Sequence, residues 1–467
     1  MVNITINDSD NSDNTDISDN SGNLDNVNYD IKEINILHNT IEYNYTNLTE
    51  YNYNNKPSPY KEILRFICIN GLNSCFLTKL NELDSNKYDL NELFKNNSCK
   101  LIELINRWCW HQYNNKTCKD NVIPYVKDEI YDYERFVDDL NYILNVHGTD
   151  IAIKIEDKII IELKNIISNY LEIQYLDYSQ RNNIEIIVTR DIVEKKSRLV
   201  CTYKNNTYQV TIHSKVFSRL KTKLLTFGGS KFKILKNYEG NIDNYLDQYI
   251  FCLVFRYSYM DSGNQQLAIH PLIKEIYRKE GVNFELFGSA INTLSINYCS
   301  LFYDIEKYFG SNGDFFDIKI ESGIYWCNPP YDDTIMLNTA DKLISILESN
   351  KNVVFIVTIP IWDIQTQQRI KDDNIDKIVR NYNINTESGD HDDFKIYAKL
   401  KPYIKDELMI PKHRIPYFNY RKYSNINAVN TYMLIIYKNI NQDLVKNIHL
   451  NFDKIIELDQ LNSFLLK

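Results

Sequence analysis

Apolar residues recur every three to four positions from about Tyr60 to Leu144, in YKEILRFICI and in NELFKNNSCKLIELINRWCW, and this spacing predicts helices. Residues 151–176 extend the pattern as a long amphipathic helix. The period then shortens. IEIIVT, RLVCTYK and TYQVTIH, between residues 184 and 213, are short β-rich runs, with KNN as a turn. Helical spacing returns over 214–226 and is ended by Gly228-Gly229; a further helix is predicted over roughly 243–258. Beyond residue 259 the character changes again. A helix (266–280) precedes the strand NFELFG, followed by SGIYWCNPPY, the helix TIMLNTADKLISILES, the apolar strand NVVFIVTIPIW and a late strand, NTYMLIIYK. Short apolar strands alternating with helices predict a parallel α/β sheet.

Composition refines this division. Residues 1–33 hold eight acids against the single base Lys32, so most of the chain's formal charge of −9 lies there. Such an Asn/Asp/Ser-rich segment cannot bury enough apolar surface to offset chain entropy. The expected organisation is a disordered acidic tail (1–55) and a mostly helical domain with a small β element and a basic stretch (56–250). An α/β core (251–440) and a carboxyl-terminal extension (441–467) complete it. The abundance of Asn, Ile, Lys and Tyr is the imprint of an AT-rich genome, as in a protist or a large DNA virus. No apolar run reaches the ~18 residues that a membrane span needs. The polar start is not expected to act as a signal or transit peptide. These features predict an intracellular protein, in cytoplasm or nucleus, with its nine cysteines reduced.

The strongest chemical signal is Asn328-Pro329-Pro330-Tyr331, between a predicted strand and a predicted helix. Ligand sites in doubly wound sheets lie beyond the carboxyl ends of strands. The residue types suit methylation of a planar amine, whose delocalised lone pair attacks poorly. A side-chain carbonyl (Asn328) and a rigidly held backbone carbonyl (Pro329) can accept both amine hydrogens and support the developing positive charge. Tyr331 offers a ring for a planar base to stack on. By itself the motif does not choose between adenine, a cytosine-like base and a protein glutamine.

A cofactor loop is expected upstream, where Gly288, Ser289 and Asn292 in FELFGSAIN would let backbone approach an amino-acid moiety, with Asn328 also bordering that ligand. Asp304 and Glu306 are candidates for ribose hydroxyls.

NQQLA (264–268), VNFELFGSAIN (282–292), NYCSLFYDIEKYFGSNG (297–313), NPPY (328–331) and FIVTIPIWD (355–363) occur in one order with one spacing. Together they resemble the cap-specific mRNA adenosine N6-methyltransferases, the phosphorylated C-terminal-domain-interacting factor family of animals. The resemblance spans roughly residues 170–440. It implies a Rossmann-like class I core fused to a helical domain, with S-adenosylmethionine as methyl donor. It also implies capped mRNA as partner and N6 of the 2′-O-methyladenosine beside the 7-methylguanosine cap as target. The family's Asn-Pro-Pro-Phe falls on Asn328–Tyr331, with Tyr for Phe. Its following acidic residue falls near Asp333, and its Pro-x-Trp segment on Pro360 and Trp362, giving Asp333 and Trp362 as substrate-side candidates. The animal proteins' WW module needs two tryptophans about twenty residues apart. Trp108, Trp110, Trp326 and Trp362 offer no such pair, so polymerase-tail binding is not expected.

From Lys195 to Tyr238 there are eleven Lys or Arg and no Asp or Glu. Such a stretch suits phosphate contact. Arg198, Lys215, Arg219, Lys221 and Lys223 are the candidates, with Tyr203 and Tyr208 interleaved. Cys99, Cys109, His111 and Cys118 lack the spacing of a zinc site and are expected to be buried thiols. A DNA adenine methyltransferase, which must flip its base, and an inactive RNA-binding scaffold are the competing functions.

Overall fold

The computed structural model describes residues 3–5, 56–83, 104–110, 188–203, 205–229, 240–261 and, with short breaks, 267–465, together with isolated positions including 120, 122, 123 and 234. Apart from Asn165, which is helical, the predicted helix over 151–176 lies outside the described residues, as do Cys99, His111 and Cys118. Two compact units result. The first takes in 56–211 and 239–263 with the amino-terminal strand; the second takes in 212–238 and 264–467. The boundary therefore differs from the expected break near 250. Helix Ser214–Lys223 belongs with the α/β unit, and helix Ile242–Tyr259 with the other.

In the first unit a four-stranded sheet runs in the order Asn3–Thr5, Asn206–His213, Lys196–Tyr203, Val188–Val193. Asn3–Thr5, inside the segment expected to be disordered, pairs in parallel with Thr207–Gln209. The other three strands form the expected β element, with Glu194 at φ 54° in the two-residue turn. Helix Pro59–Leu83 buries Ile63, Phe66 and Ile69. Between its side chains and those of Ile242–Tyr259 lies a charged network. Arg65 bridges Glu62 (2.6 Å) and Asp120 (3.0 Å), and Arg256 donates to Glu62 at 2.5 Å. The Tyr259 hydroxyl adds a bond to Glu62 at 2.7 Å. All five side chains are buried, and the two carboxylates are matched by two guanidiniums. Burial pushes the Glu62 and Asp120 carboxyls up, but the guanidiniums outweigh it and hold both below their ordinary values.

The second unit is built on a seven-stranded sheet. Its order is Asn297–Tyr298, Phe284–Glu285, Ser322–Cys327, Asn352–Pro360, Thr431–Tyr437, Ile404–Ile410, Val379–Arg380. The first four run in parallel. Thr431–Tyr437 is antiparallel to both of its neighbours, so the late strand inserts rather than closing a purely parallel sheet. In Asn352–Pro360 every residue after Asn352 is buried, as a strand covered on both faces requires. Helix Asp333–Glu348 presents Met336, Ala340, Leu343 and Leu347 to the core at helical spacing. The segment expected as an extension is the helix Gln442–Leu465. It is integral to this core, burying Val445, Ile448, Phe452 and Ile455. No helix among the described residues is long and apolar enough to cross a membrane.

Candidate active site

Phe284–Glu285 pairs with Asn297–Tyr298 on one side and with Ser322–Cys327 on the other. Successive strands thus leave this point in opposite directions, which makes a topological switch point. Gly288 donates its N–H to Cys299 O (2.9 Å) and Leu286 to Trp326 O (2.7 Å). The loop after Glu285 and the motif after Cys327 are therefore neighbours at the carboxyl edge of the sheet.

The Asn328 amide is oriented by its own bonds. Its Nδ2 donates to Leu267 O at 2.9 Å, so Oδ1 faces the other way, where it accepts from the Tyr331 hydroxyl at 3.0 Å. Pro330 O accepts the Asp332 N–H (2.8 Å), whereas Pro329 O has no hydrogen bond among the described residues. Asp332 caps the following helix by accepting from Ile335 N at 3.0 Å, and the side chain of Asp333, a substrate-side candidate, lies outside the described residues.

Tyr331 is no open stacking platform in this structure, being only 3% exposed. Its ring meets Trp362 (centroids 5.9 Å apart, 89°) and Tyr417 (6.0 Å, 81°) edge-on. Half-buried Trp362 is the more accessible of these rings. The Tyr331 hydroxyl lies 2.6 Å from that of Tyr417, which lies 2.6 Å from Thr431 Oγ1. Burial pushes both phenols up, Tyr417 to about 12, so both are protonated at neutral pH.

In the glycine loop, Ser289 N donates to Asn292 Oδ1 (2.8 Å) and Ala290 N to Glu306 Oε2 (2.7 Å). Gly288 is half-exposed, and a Cβ there would stand 3.1 Å from Glu285 Oε2 and 3.6 Å from Asn292 Oδ1. Glu306 is wholly buried and committed to the loop, which removes it as a ribose ligand; Asp304, half-buried in helix Tyr303–Glu306, keeps access to solvent.

The basic residues divide. Lys223 is 1% exposed, with Nζ 3.5 Å from Thr293 O and from Ser295 O, and burial lowers its pKa well below the ordinary value. Half-buried Arg219 donates to Ile291 O at 2.5 Å. Lys274, which sequence reasoning missed, joins Glu285 (3.0 Å) and Asn292 O (3.0 Å) from below. These three cations hold carbonyls of residues 291–295, so Arg219 and Lys223 support the loop instead of meeting phosphate as expected. Lys215 is exposed and Lys221 half-buried on the same helix. Arg198 lies in the first unit, paired with Asp191 at 2.6 Å; Tyr203 and Tyr208 are buried there. Cys109 is buried, as expected.

Tyr417 and Thr431 were also missed. They sit about a hundred residues beyond the motif, and no local pattern sets them apart from the other tyrosines and threonines.

Residues 231–381 match the family model described as phosphorylated CTD interacting factor 1 WW domain. The chain is 33% identical over 145 residues to the mRNA (2′-O-methyladenosine-N(6)-)-methyltransferases of Mus musculus and Homo sapiens. Each match takes in 28% of this chain and 20% of the relative, so the chain spans about a fifth of the length of the curated relatives it matches. The model's description names a WW domain where the sequence predicts none. In the matched residues Trp326 lies in strand Ser322–Cys327 and Trp362 just past strand Asn352–Pro360, both against the seven-stranded sheet.

Proposed function

We propose that the second unit is a Rossmann-like class I methyltransferase core that transfers a methyl group from S-adenosylmethionine to N6 of adenosine in RNA, at the 2′-O-methyladenosine beside the mRNA cap. One observation carries the proposal. Asn328 presents a fixed amide oxygen, and Pro329 a carbonyl with no hydrogen bond among the described residues, at the switch-point edge of the sheet. An adenine amine placed there donates one hydrogen to each acceptor. As the nitrogen turns tetrahedral and positive, both contacts strengthen; this is stabilisation aimed at the transition state. No base is needed before attack. The likeness to cap-adjacent adenosine methyltransferases selects adenine over the other planar amines that the motif alone admits.

The residues fit the donor. The switch point is where such sheets bind cofactors, and Gly288 leaves room for close approach. The N–H groups of residues 288–290 are all committed, so the loop offers acceptors to the donor's ammonium end rather than donors to its carboxylate. Gly288, Ser289, Asn292 and Asp304 would hold S-adenosylmethionine, which supplies an electrophilic methyl group. Trp362 borders the base, and Lys215 and Lys221 face the RNA backbone. The proposal assigns no polymerase-tail role to residues 231–381, and places the reaction in cytoplasm or nucleus.

Methyl transfer from labelled S-adenosylmethionine tests this on three substrates: capped RNA beginning with 2′-O-methyladenosine, the same RNA uncapped, and duplex DNA. Label on N6 of the first adenosine of the capped RNA alone is expected. Asn328→Ala should lower kcat by about 10²–10³-fold, the scale for losing one transition-state contact, with donor binding retained. Transfer to the duplex alone would make this a DNA enzyme. No transfer and no donor binding would leave a scaffold.

A further inference from the structure

The hydroxyls beside Asn328 pose a problem of proton counting. Tyr331, Tyr417 and Thr431 own one hydroxyl proton each. They make four oxygen–oxygen contacts: Tyr331 to Asn328 Oδ1 (3.0 Å), Tyr331 to Tyr417 (2.6 Å), Tyr417 to Thr431 (2.6 Å) and Thr431 to Val429 O (3.2 Å). Both terminal oxygens, an amide carbonyl and a backbone carbonyl, only accept. Three protons cannot fill four contacts. Two arrangements fill three in an unbroken chain. In one, Thr431 donates to Tyr417, Tyr417 to Tyr331 and Tyr331 to Asn328, leaving Val429 O without a proton. In the other, every hydroxyl points the opposite way. Tyr331 donates to Tyr417, Tyr417 to Thr431 and Thr431 to Val429 O, and Asn328 Oδ1 is left open. The two differ only by rotation of three O–H bonds; no proton changes owner and no heavy atom needs to move.

We propose that this chain is a two-state cap on the catalytic amide: it occupies Asn328 Oδ1 in the empty site and reverses to release it when a substrate amine arrives. Tyr417 and Thr431 are then positioning residues for the reaction. The inference rests on the amine-methylation reading of Asn328. Tyr331, Tyr417 and Thr431 are each 4% exposed or less, so water offers little alternative partner and the contacts are coupled. An empty Asn328 oxygen in this partly dry site would be costly. The cap removes that cost, and its reversal gives an incoming amine hydrogen the full acceptor. An analogue without that hydrogen has nothing to offer Asn328 in exchange for the Tyr331 proton, so the cap also favours amines.

The test is a double-mutant cycle on kcat. In Tyr417→Phe, the Tyr331 proton has only Asn328 left to bond, so the cap is locked on. We expect kcat to fall about tenfold (~1.4 kcal/mol) with KM little changed. In the Tyr331→Phe background there is no cap, and adding Tyr417→Phe should alter kcat less than about twofold. Thr431→Val should act like Tyr417→Phe, while Thr431→Ser, which keeps the hydroxyl, should restore the rate. An unchanged kcat in Tyr417→Phe, an equal loss in both backgrounds, or no difference between Thr431→Val and Thr431→Ser overturns the proposal. If the native chain methylates nothing, the functional reading fails separately. The cap is then judged from the Asn328 side-chain amide signal in ¹⁵N-asparagine-labelled protein, identified by its loss in Asn328→Ala. It should move in Tyr331→Phe and stay in Tyr417→Phe; a signal that ignores Tyr331→Phe overturns the cap.

Discussion

Lys223 shows how far a residue's role depends on where its charge ends up. Its neighbours in sequence are basic, and the acid-free stretch from Lys195 to Tyr238 reads as one phosphate-binding surface. Helical geometry splits it. Lys223 follows Val216, Phe217 and Leu220 onto the buried face of Ser214–Lys223, while Lys215 stays in solvent. Its amine is buried, lies 3.5 Å from two loop carbonyls and has its pKa lowered by desolvation, so it is out of reach of a phosphate. Lys223→Met should therefore leave the salt dependence of RNA binding unchanged, measured as the slope of log Kd against log salt concentration. Lys215→Met should reduce that slope by about one contact's worth, roughly 0.7 for a single strand. A reduced slope in Lys223→Met would return this residue to the RNA surface.

At the scale of elements, the site depends on how one strand stops and one helix starts. Cys327 ends the strand, Pro329-Pro330 cannot continue it, and Asp332 opens helix Asp333–Glu348 by accepting from Ile335 N. The motif is thus held at both ends by elements whose remaining length is core. Asp332→Ala should cost about 1 kcal/mol of stability, seen as a fall in Tm of about 2–4 °C for a unit of this size. Asp332→Asn, which keeps a capping oxygen, should recover most of it; an equal loss in both would mean that the charge, not the cap, matters. The strand Asn352–Pro360 was legible because burial on both faces demands an unbroken apolar run, and Ser322–Cys327 because its buried end, Tyr325–Cys327, is apolar. Ile404–Ile410 was not, because IKDELMI carries Asp406 and Glu407 inside it; Asp406 is ion-paired in space with Arg380 and lies 2.8 Å from His449 Nδ1. Nothing adjacent in sequence announces those partners.

For the molecule as a whole, each unit has its own means of holding together. The second unit is built around a large apolar cluster on its seven-stranded sheet, with the buried Lys274–Glu285 pair beside it. The first adds buried charge around Glu62, whose carboxyl is held low by Arg256 and Arg65 against the opposing effect of burial. A carboxyl with a lowered folded pKa binds fewer protons folded than unfolded. Its contribution is present above the unfolded value, about 4.3 for glutamate, and is lost as pH falls through the lower folded value. Glu62→Gln, measured by chemical denaturation at neutral pH, should destabilise the protein by about 3–5 kcal/mol, because it leaves two buried guanidiniums facing one carboxylate. It should also flatten the loss of stability below about pH 4. A loss under about 1 kcal/mol, the scale of an exposed pair, would show that the network is weakly coupled.

The sequence by itself determined the alternation of strands and helices beyond residue 259, the position of Asn328–Tyr331 between a strand and a helix, and the glycine loop at Gly288. Each is written in neighbouring residues, through periodicity, proline and glycine. Only the tertiary structure decided the rest. It reversed the direction of Thr431–Tyr437, drew helix Gln442–Leu465 into the core and turned Arg219 and Lys223 inward. It also set Tyr417 and Thr431 behind Tyr331 and closed the Tyr331 ring from solvent. The physical reason is common to all of these. A periodic pattern records that a side chain is buried, but not which distant group it is buried against, and hydrogen-bond chemistry is settled by that partner.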